Sequence, residues 1–350
     1  MTETKTALVV GASGIIGNAV TRELLRNPRW NVRATRRALV PDVEIVHCDI
    51  TDAETTAEAL KQAKDTTHVF YAALVPHQNA QVESTVNTAM LANVLDGLKQ
   101  AGANLERVVL FQGAKVYGPH LGGPISTPFY EDAPRHLAAN FYFAQEDLLR
   151  ARASAGELEW SILRPDPVIG DIAGNIMNIA MVIAVYAALS KQAGVPLRFP
   201  GALETYSGVL AQVTDADWLA RASLWAAADR NARNEAFNLV GEPFRWNRLW
   251  QKVADAFELE LAEPQPVSLS QHMPDKAEAW QRLVDQHDLK PVPYQQLVNW
   301  GFGDFVFSIK QDMLSDMGKI RRAGFTLPMK SPEASLIDTI FSLRQQKYIP

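Results

Sequence analysis

Residues 7–25 read ALVVGASGIIGNAVTRELL, an apolar strand-like run followed by spaced glycines and an amphipathic helical pattern. The glycines are Gly11, Gly14 and Gly17. Glycine at these positions lets the backbone turn tightly after a strand and approach a pyrophosphate at the amino end of the next helix. Three glycines alone could form a simple turn, but the strand before them and the helix after them favour a dinucleotide phosphate site.

The first half of the chain alternates short β-branched runs with longer helical patterns. This alternation is typical of an α/β fold of Rossmann type, a doubly wound parallel sheet with helices on both faces. Thr51 and Glu54 have the spacing of a capping box before a helix, and a second helical pattern covers residues 82–100 before Gly102. The candidate strands are residues 7–10, 31–35, 44–47, 68–72, 107–111 and 160–163.

The chain of 350 residues exceeds the roughly 250 residues at which single cores usually stop growing. We predict a nucleotide-binding Rossmann domain over residues 1–170 and a mainly helical, substrate-binding or lid region over residues 171–350. A later run, 236–240, is predicted to return to the sheet. The most apolar stretch, 176–189, is shorter than the roughly 20 residues that span a bilayer, which predicts a buried helix.

Composition narrows the classes of partner. A net charge of -5 with interspersed acids and bases indicates neither a nucleic-acid nor a membrane partner, so we expect a small molecule, with a homodimer left open. The start of the chain lacks the pattern of a secretory signal and Cys48 is the single cysteine, which predicts a cytoplasmic protein. The histidines at positions 68, 77, 120 and 136 lack ligand spacing, so we expect no metal.

The spacing GxxGxxG resembles that of the short-chain dehydrogenase/reductase superfamily. In sites that prefer NAD, an acidic residue at the end of the second strand receives the ribose hydroxyls. Arg36 and Arg37 stand there instead, and two guanidinium groups suit the 2′-phosphate of NADPH. Asp49 follows the third strand and is placed to meet the adenine, although an acid at the start of a helix is nearly as good an interpretation.

The candidate catalytic residues depart from the usual reductase pattern. There, Tyr and Lys stand as YxxxK on one helix face, and the lysine lowers the pKa of the phenol. Here the helix candidate contains Tyr142, but Glu146 occupies the position of the lysine. Lys115 appears just after the fifth strand instead. Taken alone, Lys115 would be interpreted as a surface cation and Tyr142 as a packing aromatic; together they can place a cation and a phenol near one substrate oxygen.

Along nearly its whole length the sequence resembles the progesterone 5β-reductase/iridoid synthase-like (PRISE) family of extended short-chain reductases. The matching motifs are GASGIIG, WNVRATRR, HCDITD, FYAAL, QGAKVYGP, TPFYEDAPR, NFYFAQED, WSILRPDPVIG, VYAALSKQAGVPLRFPG, TDADWLA and AFNLVGEPFRWNRLW. The lysine motif departs from plant members, which have His and Tyr after the lysine and one more residue before Gly-Pro; this chain has Val116, Tyr117, Gly118 and Pro119. A second tyrosine of the family is Phe143 here.

The resemblance implies NADPH-dependent reduction of the C=C bond of an apolar enone, with hydride added to the β-carbon. It implies that Tyr142 and Lys115 are the catalytic pair that stabilises the enolate oxygen, and that Arg36 and Arg37 hold the NADP phosphate. The candidate cofactor-binding residues are Gly11, Ser13, Gly14, Ile15, Ile16, Gly17, Arg36, Arg37, Asp49, Ile50, Ala72, Gln112, Lys115, Tyr142, Pro165 and Val168.

Two other functions fit the same Rossmann pattern. One is an NADPH-dependent carbonyl reductase or a nucleotide-sugar enzyme, which the missing YxxxK disfavours. The other is a redox sensor that binds NADPH without turnover, which the presence of both a phenol and a lysine disfavours. Oxidation of NADPH when an enone is added distinguishes an enzyme from the sensor, and the product, saturated carbonyl or alcohol, distinguishes the two enzyme classes.

Overall fold

A computed structural model describes residues 4–35, 39–41, 43–175 and 177–350 of the chain. Seven of the strands in these ranges form one parallel sheet in the order β10-β6-β5-β4-β1-β2-β3. The predicted Rossmann-type α/β class is confirmed. The strands of this sheet are β1 (Lys5–Val10), β2 (Trp30–Thr35), β3 (Glu44–Val46), β4 (His68–Tyr71), β5 (Arg107–Phe111), β6 (Glu159–Arg164) and β10 (Glu235–Asn238).

The central strands are apolar on both sides because helices cover both faces of the sheet. On β1, Leu8 and Val10 belong to one core cluster, and Ala7 and Val9 to the other. Successive side chains of a strand point to opposite faces, so a strand buried on both faces forms a continuous apolar run. This explains why the sequence shows runs such as ALVV rather than alternation of polar and apolar residues.

The helices are α1 (Ile15–Leu25), α2 (Ala53–Leu60), α3 (Ala80–Gln100), α4 (Phe141–Ser154), α5 (Ile179–Ala193), α6 (Ala216–Ala228), α7 (Trp246–Phe257), α8 (Leu269–His272), α9 (Ala277–His287), α10 (Tyr294–Leu297), α11 (Trp300–Phe307), α12 (Gly318–Arg322) and α13 (Pro332–Gln345). Helices α1 and α6 pack together on one face of the sheet, and α2, α3 and α4 pack on the other. Short two-residue strands complete the fold: β7 (Val168–Ile169), β8 (Leu197–Arg198), β9 (Thr214–Asp215) and β11 (Leu261–Ala262).

The second half of the chain divides its helices between two cores. Helix α6 and strand β10 join the sheet core, since Leu219 and Phe237 pack in the same cluster as Val9. Helices α5, α7, α11 and α13 form a separate core around Trp250 and Phe307. The later strand near residues 236–240 is β10, which pairs with β6 at the edge of the sheet.

Two local predictions need correction. The first turn of α2 is capped by Asp52, which accepts a hydrogen bond from the Thr55 N–H at 2.7 Å; Thr51 instead donates its hydroxyl to Asp49 at 2.8 Å. The apolar helix expected from residue 176 begins at Ile179, where Asn178 provides the cap. Residues 179–185 and 187–190 of this helix are buried, as predicted, and its last turn is mostly exposed. Across the residues described, no helix combines the length and apolarity needed to traverse a bilayer.

Candidate active site

A cleft of about 510 Å³ opens at the carboxyl ends of the strands. Its wall is formed by the segments that follow β1, β3, β4, β5 and β6, together with the end of β2. In an open α/β sheet these ends meet at one edge, where ligands bind. The opposite wall comes from residues 209–213, 302–313 and Trp246 of the second half.

The glycine loop is packed too closely for other residues at two positions. Gly11 has a positive φ of 89°, and a Cβ there would lie 2.8 Å from the carbonyl carbon of Ala72. A Cβ on Gly17 would lie 2.2 Å from the Gly11 oxygen. Gly14 precedes α1, whose amino end receives no side-chain cap. The loop therefore leaves main-chain N–H groups and the positive end of a helix at the cleft, which suits an anionic phosphate.

Every predicted cofactor residue that the structure describes lines this one cleft. They come from the segments that follow five strands and, for Tyr142, from helix α4: Gly11, Ser13, Gly14, Ile15, Ile16, Gly17, Asp49, Ile50, Ala72, Gln112, Lys115, Tyr142, Pro165 and Val168. Arg36 and Arg37 lie outside the described residues. Thr35, which directly precedes them, also lines the cleft.

Both interpretations of Asp49 remain compatible with its position. Its carboxylate accepts hydrogen bonds from the Thr51 N–H and hydroxyl, at 3.1 and 2.8 Å, and its carbonyl accepts from the Asp52 N–H at the start of α2. The residue is exposed and lines the cleft. Asp49 thus organises the turn before α2 and faces the end of the cleft at β3.

Lys115 and Tyr142 are brought to the same wall by Asn140. Asn140 caps α4, because its Oδ1 accepts a hydrogen bond from the Tyr142 N–H at 3.0 Å. Its Nδ2 donates to the carbonyl oxygen of Lys115, also at 3.0 Å. Lys115 lies in a single 3-10 turn, Ala114–Tyr117, directly after β5. One side chain therefore joins the lysine turn to the tyrosine helix.

The phenol of Tyr142 lies beside the turn that follows β5. A Cβ added at Gly113 would be 3.5 Å from the phenol oxygen and 3.5 Å from the carbonyl oxygen of Pro165. Among the described residues, none forms a hydrogen bond with the phenol oxygen. Burial, with a smaller effect of the Asp166 and Glu83 charges, raises the pKa of Tyr142. The phenol is therefore a protonated donor at neutral pH.

Glu146 explains why the lysine of the usual pattern is missing from α4. Its carboxylate is buried and pairs with Arg150 at 2.7 Å and Arg164 at 3.2 Å. Burial opposes its ionisation, but the hydrogen bond from Arg150 and the charges of Arg164 and Arg135 outweigh it and lower the pKa of Glu146. This pairing borders a small polar cavity separate from the main cleft. The position that usually presents a lysine to the cofactor here anchors α4 to β6.

Two residues of the lysine motif that depart from the plant pattern, Val116 and Tyr117, border the small polar cavity rather than the main cleft. The Tyr117 hydroxyl contacts the Oδ1 of Asn238 and accepts a hydrogen bond from Arg164 at 3.1 Å. Glu131, from the TPFYEDAPR segment, accepts a hydrogen bond from the Asn238 N–H at 2.8 Å. Both side chains border the small polar cavity. Tyr117 and Glu131 therefore face the small polar cavity, whereas Lys115 of the same turn lines the main cleft.

The wall contributed by the second half of the chain is mainly apolar. Its aromatic residues Trp246, Phe302 and Phe305 lie among the aliphatic and methionine side chains Val209, Leu210, Val213, Val306, Ile309 and Met313, and Gln212 is a polar residue on this wall. In the described part of the chain, the charged residues that line the cleft are Asp49, Lys115 and Asp166. Since Asp49 lies at the end near β3, an apolar molecule beside the phenol would meet Lys115 and Asp166.

Sequence reasoning missed two residues at this site. The capping role of Asn140 could have been predicted, because Asn directly before a helical pattern is a typical cap. Its hydrogen bond to Lys115 could not, because it joins residues 25 positions apart in the chain. Asp166 lines the cleft between the predicted cofactor residues Pro165 and Val168. The sequence shows an aspartate directly after a strand, but it does not show that its carboxylate forms no hydrogen bond with the described part of the protein. Within the described ranges, no group of three or more His, Cys, Asp or Glu side chains could hold a metal.

Relatives of known activity match the chain over almost its full length. It is 34% identical to an (S)-8-oxocitronellyl enol synthase of Camptotheca acuminata, with 98% of this chain and 93% of the relative covered. It is 33% identical to a 3-oxo-Delta(4,5)-steroid 5-beta-reductase of Arabidopsis thaliana, with the same coverage.

Solved structures share the fold at lower sequence identity. The RMD protein of Pseudomonas aeruginosa, solved with NADPH, superposes with a TM-score of 0.69 at 15% identity, covering 99% of this chain and 100% of that one. The UDP-glucose 4-epimerase of Thermus thermophilus, solved with NAD, gives 0.66 at 19% identity, covering 97% and 99%. At these sequence identities, the similarity to the two solved structures shows a shared fold.

The family model for the PRISE-like Rossmann-fold domain matches residues 24–350. With the two relatives above 30% identity over 98% of the chain, this confirms the resemblance that the motifs indicated. The chain is a member of the PRISE-like Rossmann-fold family.

Proposed function

We propose that this protein is an NADPH-dependent reductase of the C=C bond in apolar α,β-unsaturated carbonyl compounds. The observation that carries the proposal is the placement of Tyr142 and Lys115 on one wall of a cleft whose opposite wall is mainly apolar. The phenol is a neutral donor and the lysine a cation, and both lie at the junction of the cofactor and substrate parts of the cleft.

The glycine loop fits the cofactor. Side chains are absent where the backbone must approach a phosphate, and α1 begins there without a cap. Arg36 and Arg37 follow the cleft residue Thr35 and would pair with the 2′-phosphate. When bound, NADPH supplies the hydride that adds to the β-carbon of the enone. The NADPH bound to the structural neighbour from Pseudomonas aeruginosa agrees with this assignment.

Tyr142 and Lys115 stabilise the charge that develops on the carbonyl oxygen. As the β-carbon becomes saturated, this oxygen acquires enolate character. The phenol donates a hydrogen bond to it, and the ammonium group adds positive potential in apolar surroundings, where such interactions are stronger than in water. Asn140 holds the main chains of both residues, so we expect little reorganisation of the two segments during the reaction.

The second half of the chain supplies the substrate side. We assign residues 1–170 mainly to cofactor binding and residues 171–350 mainly to substrate binding, with α6 and β10 completing the sheet. The apolar wall suits a hydrophobic small molecule held by one polar anchor. The steroid named for the Arabidopsis relative, a 3-oxo-Delta(4,5) compound, has this combination of apolar body and conjugated carbonyl.

The test is NADPH oxidation in the presence of enones, saturated ketones and aldehydes, with identification of the products. We expect saturated carbonyl products from enones and a preference for NADPH over NADH. Alcohol products would instead assign the protein to the carbonyl reductases. Tight binding of NADPH with no oxidation by any carbonyl compound would identify a sensor.

A further inference from the structure

Asp166 is the third charged residue that lines the cleft, besides Asp49 and Lys115, among the residues that the structure describes. It follows β6 directly after Pro165, and it lines the cleft together with Pro165, Pro167 and Val168. Its main chain is held by the buried Thr214: the Asp166 N–H donates to the threonine hydroxyl at 3.1 Å, and this hydroxyl lies 3.2 Å from the Asp166 carbonyl oxygen. The side chain therefore projects from a fixed backbone.

The carboxyl group of Asp166 has no protein partner in the ranges that the structure describes: neither a hydrogen bond nor an ion pair is formed by its oxygens. Burial raises its pKa to about 7. A polar group in such surroundings is usually paired, because a buried donor or acceptor without a hydrogen bond destabilises the folded protein. Asp166 is only half-buried, so its free side is the cleft, where a ligand binds.

The groups that face Asp166 belong to the catalytic wall. Tyr142 of α4 is close enough that the Asp166 charge contributes to the raised pKa of the phenol. The Pro165 carbonyl oxygen and the phenol oxygen are each 3.5 Å from the same point beside Gly113, so they lie within about 7 Å of each other. Lys115 in the turn after β5 and His120 in the next turn also line the cleft. The charge of Glu83 on α3 contributes to the raised pKa of the phenol.

We propose that Asp166 is the acid that protonates the α-carbon of the substrate. The inference rests on the proposed reduction of enones, in which the enolate oxygen is held by Tyr142 and Lys115. The α-carbon is one carbon away from the carbonyl carbon, so it lies within reach of the residues that border the phenol. The O–H bond of the carboxyl group breaks, a C–H bond forms at the α-carbon, and the C=O bond is restored. Water entering the cleft then reprotonates the carboxylate.

The protonation state of Asp166 is suited to this role. A general acid is most effective when its pKa is close to the working pH. The carboxyl group is protonated in a substantial fraction of molecules near neutral pH, whereas an ordinary aspartic acid is almost fully ionised there. The fraction that carries the proton falls as the pH rises above about 7.

The first test requires no turnover. Carboxyl carbon NMR of the cofactor-free protein, compared between the wild type and Asp166→Asn, should show one resonance that titrates near pH 7 and is missing in the variant. Asp132→Asn is the matched control, because Asp132 is an exposed carboxylate outside the cleft, and it should leave this resonance in place. A spectrum in which every carboxyl group titrates at ordinary acidic pH would overturn the assignment.

The second test is hydrogen exchange at the α-carbon. By microscopic reversibility, the Asp166 carboxylate should remove an α-proton from the saturated ketone product in heavy water while NADP⁺ is bound. We expect Asp166→Asn to slow this exchange by on the order of 100-fold, and Asp132→Asn to have no effect. Equal exchange rates in wild type and Asp166→Asn would contradict the proposal.

The third test separates this inference from the proposed function. Reduction of an α-methyl cyclic enone in heavy water should place deuterium on one face of the α-carbon in the wild type and on both faces in Asp166→Asn. Enone reduction with the same facial selectivity in both proteins would overturn the role of Asp166 alone. Absence of any enone reduction by the wild type would overturn the proposed function.

Discussion

Asn140 donates a hydrogen bond from its side-chain amide to the main-chain carbonyl of Lys115, with 3.0 Å between the two atoms. The same side chain caps the helix that carries Tyr142. A cation and a phenol that usually share one helix face are here held together across two segments. The relative position of the proposed catalytic groups therefore depends on a residue that forms hydrogen bonds with their main chains and with neither the ammonium group nor the phenol.

Substitution of Asn140 should separate its two roles. Asn140→Asp keeps a good helix cap but loses the donor to Lys115, so we expect near-normal thermal stability and kcat reduced on the order of tenfold, about the effect of one lost hydrogen bond. Asn140→Ala should lose the cap as well, with about 1 kcal/mol of stability. Thermal unfolding and enone kinetics measure both effects. Unchanged kcat in Asn140→Asp would show that the bond to Lys115 does not position the lysine.

Loss of the phenol should weaken turnover without abolishing it. For Tyr142→Phe we expect kcat to fall on the order of 100-fold, as when one donor to an oxyanion is removed. The pKa of Tyr142 is raised, so the phenol stays protonated through mildly alkaline pH and its ionisation should not lower the rate there. Lys115→Met should lower kcat as well, and the double variant should lose less than the product of the single losses. Full activity in Tyr142→Phe would exclude the phenol from the mechanism.

Restoring the usual YxxxK pattern should harm this protein. Glu146→Lys would put an ammonium group beside Arg150 and Arg164, and an unpaired buried charge costs about 3–5 kcal/mol. We expect a large loss of thermal stability and no gain in activity. A stable Glu146→Lys variant with increased activity would show that residue 146 reaches the cofactor.

The milder Glu146→Gln variant gives a pH signature. The pKa of Glu146 is lowered in the folded protein, so its pairing stabilises the fold above the unfolded pKa of about 4.3 and is lost as the pH falls through the folded value. The difference in unfolding free energy between wild type and Glu146→Gln should therefore be largest near neutral pH and shrink in acid. A difference that does not depend on pH would contradict the ion pairing.

The glycine loop offers a matched pair of substitutions. At Gly17 a Cβ would lie 2.2 Å from a backbone oxygen, so Gly17→Ala should destabilise the protein or prevent folding. At Gly14 the nearest atoms would be 3.5 and 3.6 Å away, an ordinary contact. Gly14→Ala should keep normal thermal stability but bind NADPH more weakly, because the methyl group lies at the cleft. Titration of NADPH fluorescence measures this, and unaltered affinity would place the phosphates elsewhere.

The preference for NADPH is predicted to depend on Arg36 and Arg37. Replacing both by Ala should remove charge-assisted hydrogen bonds worth about 1.5–3 kcal/mol each to the 2′-phosphate, and so lower kcat/KM for NADPH at least tenfold. The value for NADH, which has no such phosphate, should change little. An equal loss with both cofactors would indicate that the arginines support the fold rather than select the phosphate.

The elements of the sheet could be predicted because their causes are local. The central strands β1, β4 and β5 are short, mostly apolar runs. Glycine is required at positions 11 and 17 because the neighbouring backbone leaves no space for a Cβ. The predicted cap of α2 was wrong by one residue, because Thr and Asp can both cap a helix. The Thr51 hydroxyl is bonded to Asp49, and Asp52 is the residue that caps α2. Arg36 and Arg37 remain predictions from the sequence.

The absence of YxxxK was visible in the sequence, but what replaces it depends on distant contacts. Glu146 pairs with Arg164, 18 residues away on β6, and Asn140 joins Lys115 to α4. Asp166 is a common residue type in a common position, directly after a strand, so the sequence does not single it out. Its raised pKa comes from burial in the folded protein. Fold class and the glycine loop thus follow from residue type and spacing, since backbone geometry and apolar periodicity act over a few residues, and the family was indicated by the resemblance of the motifs. The partners, burial and ionisation of the cleft residues follow from folding, which brings the ends of parallel strands to one edge.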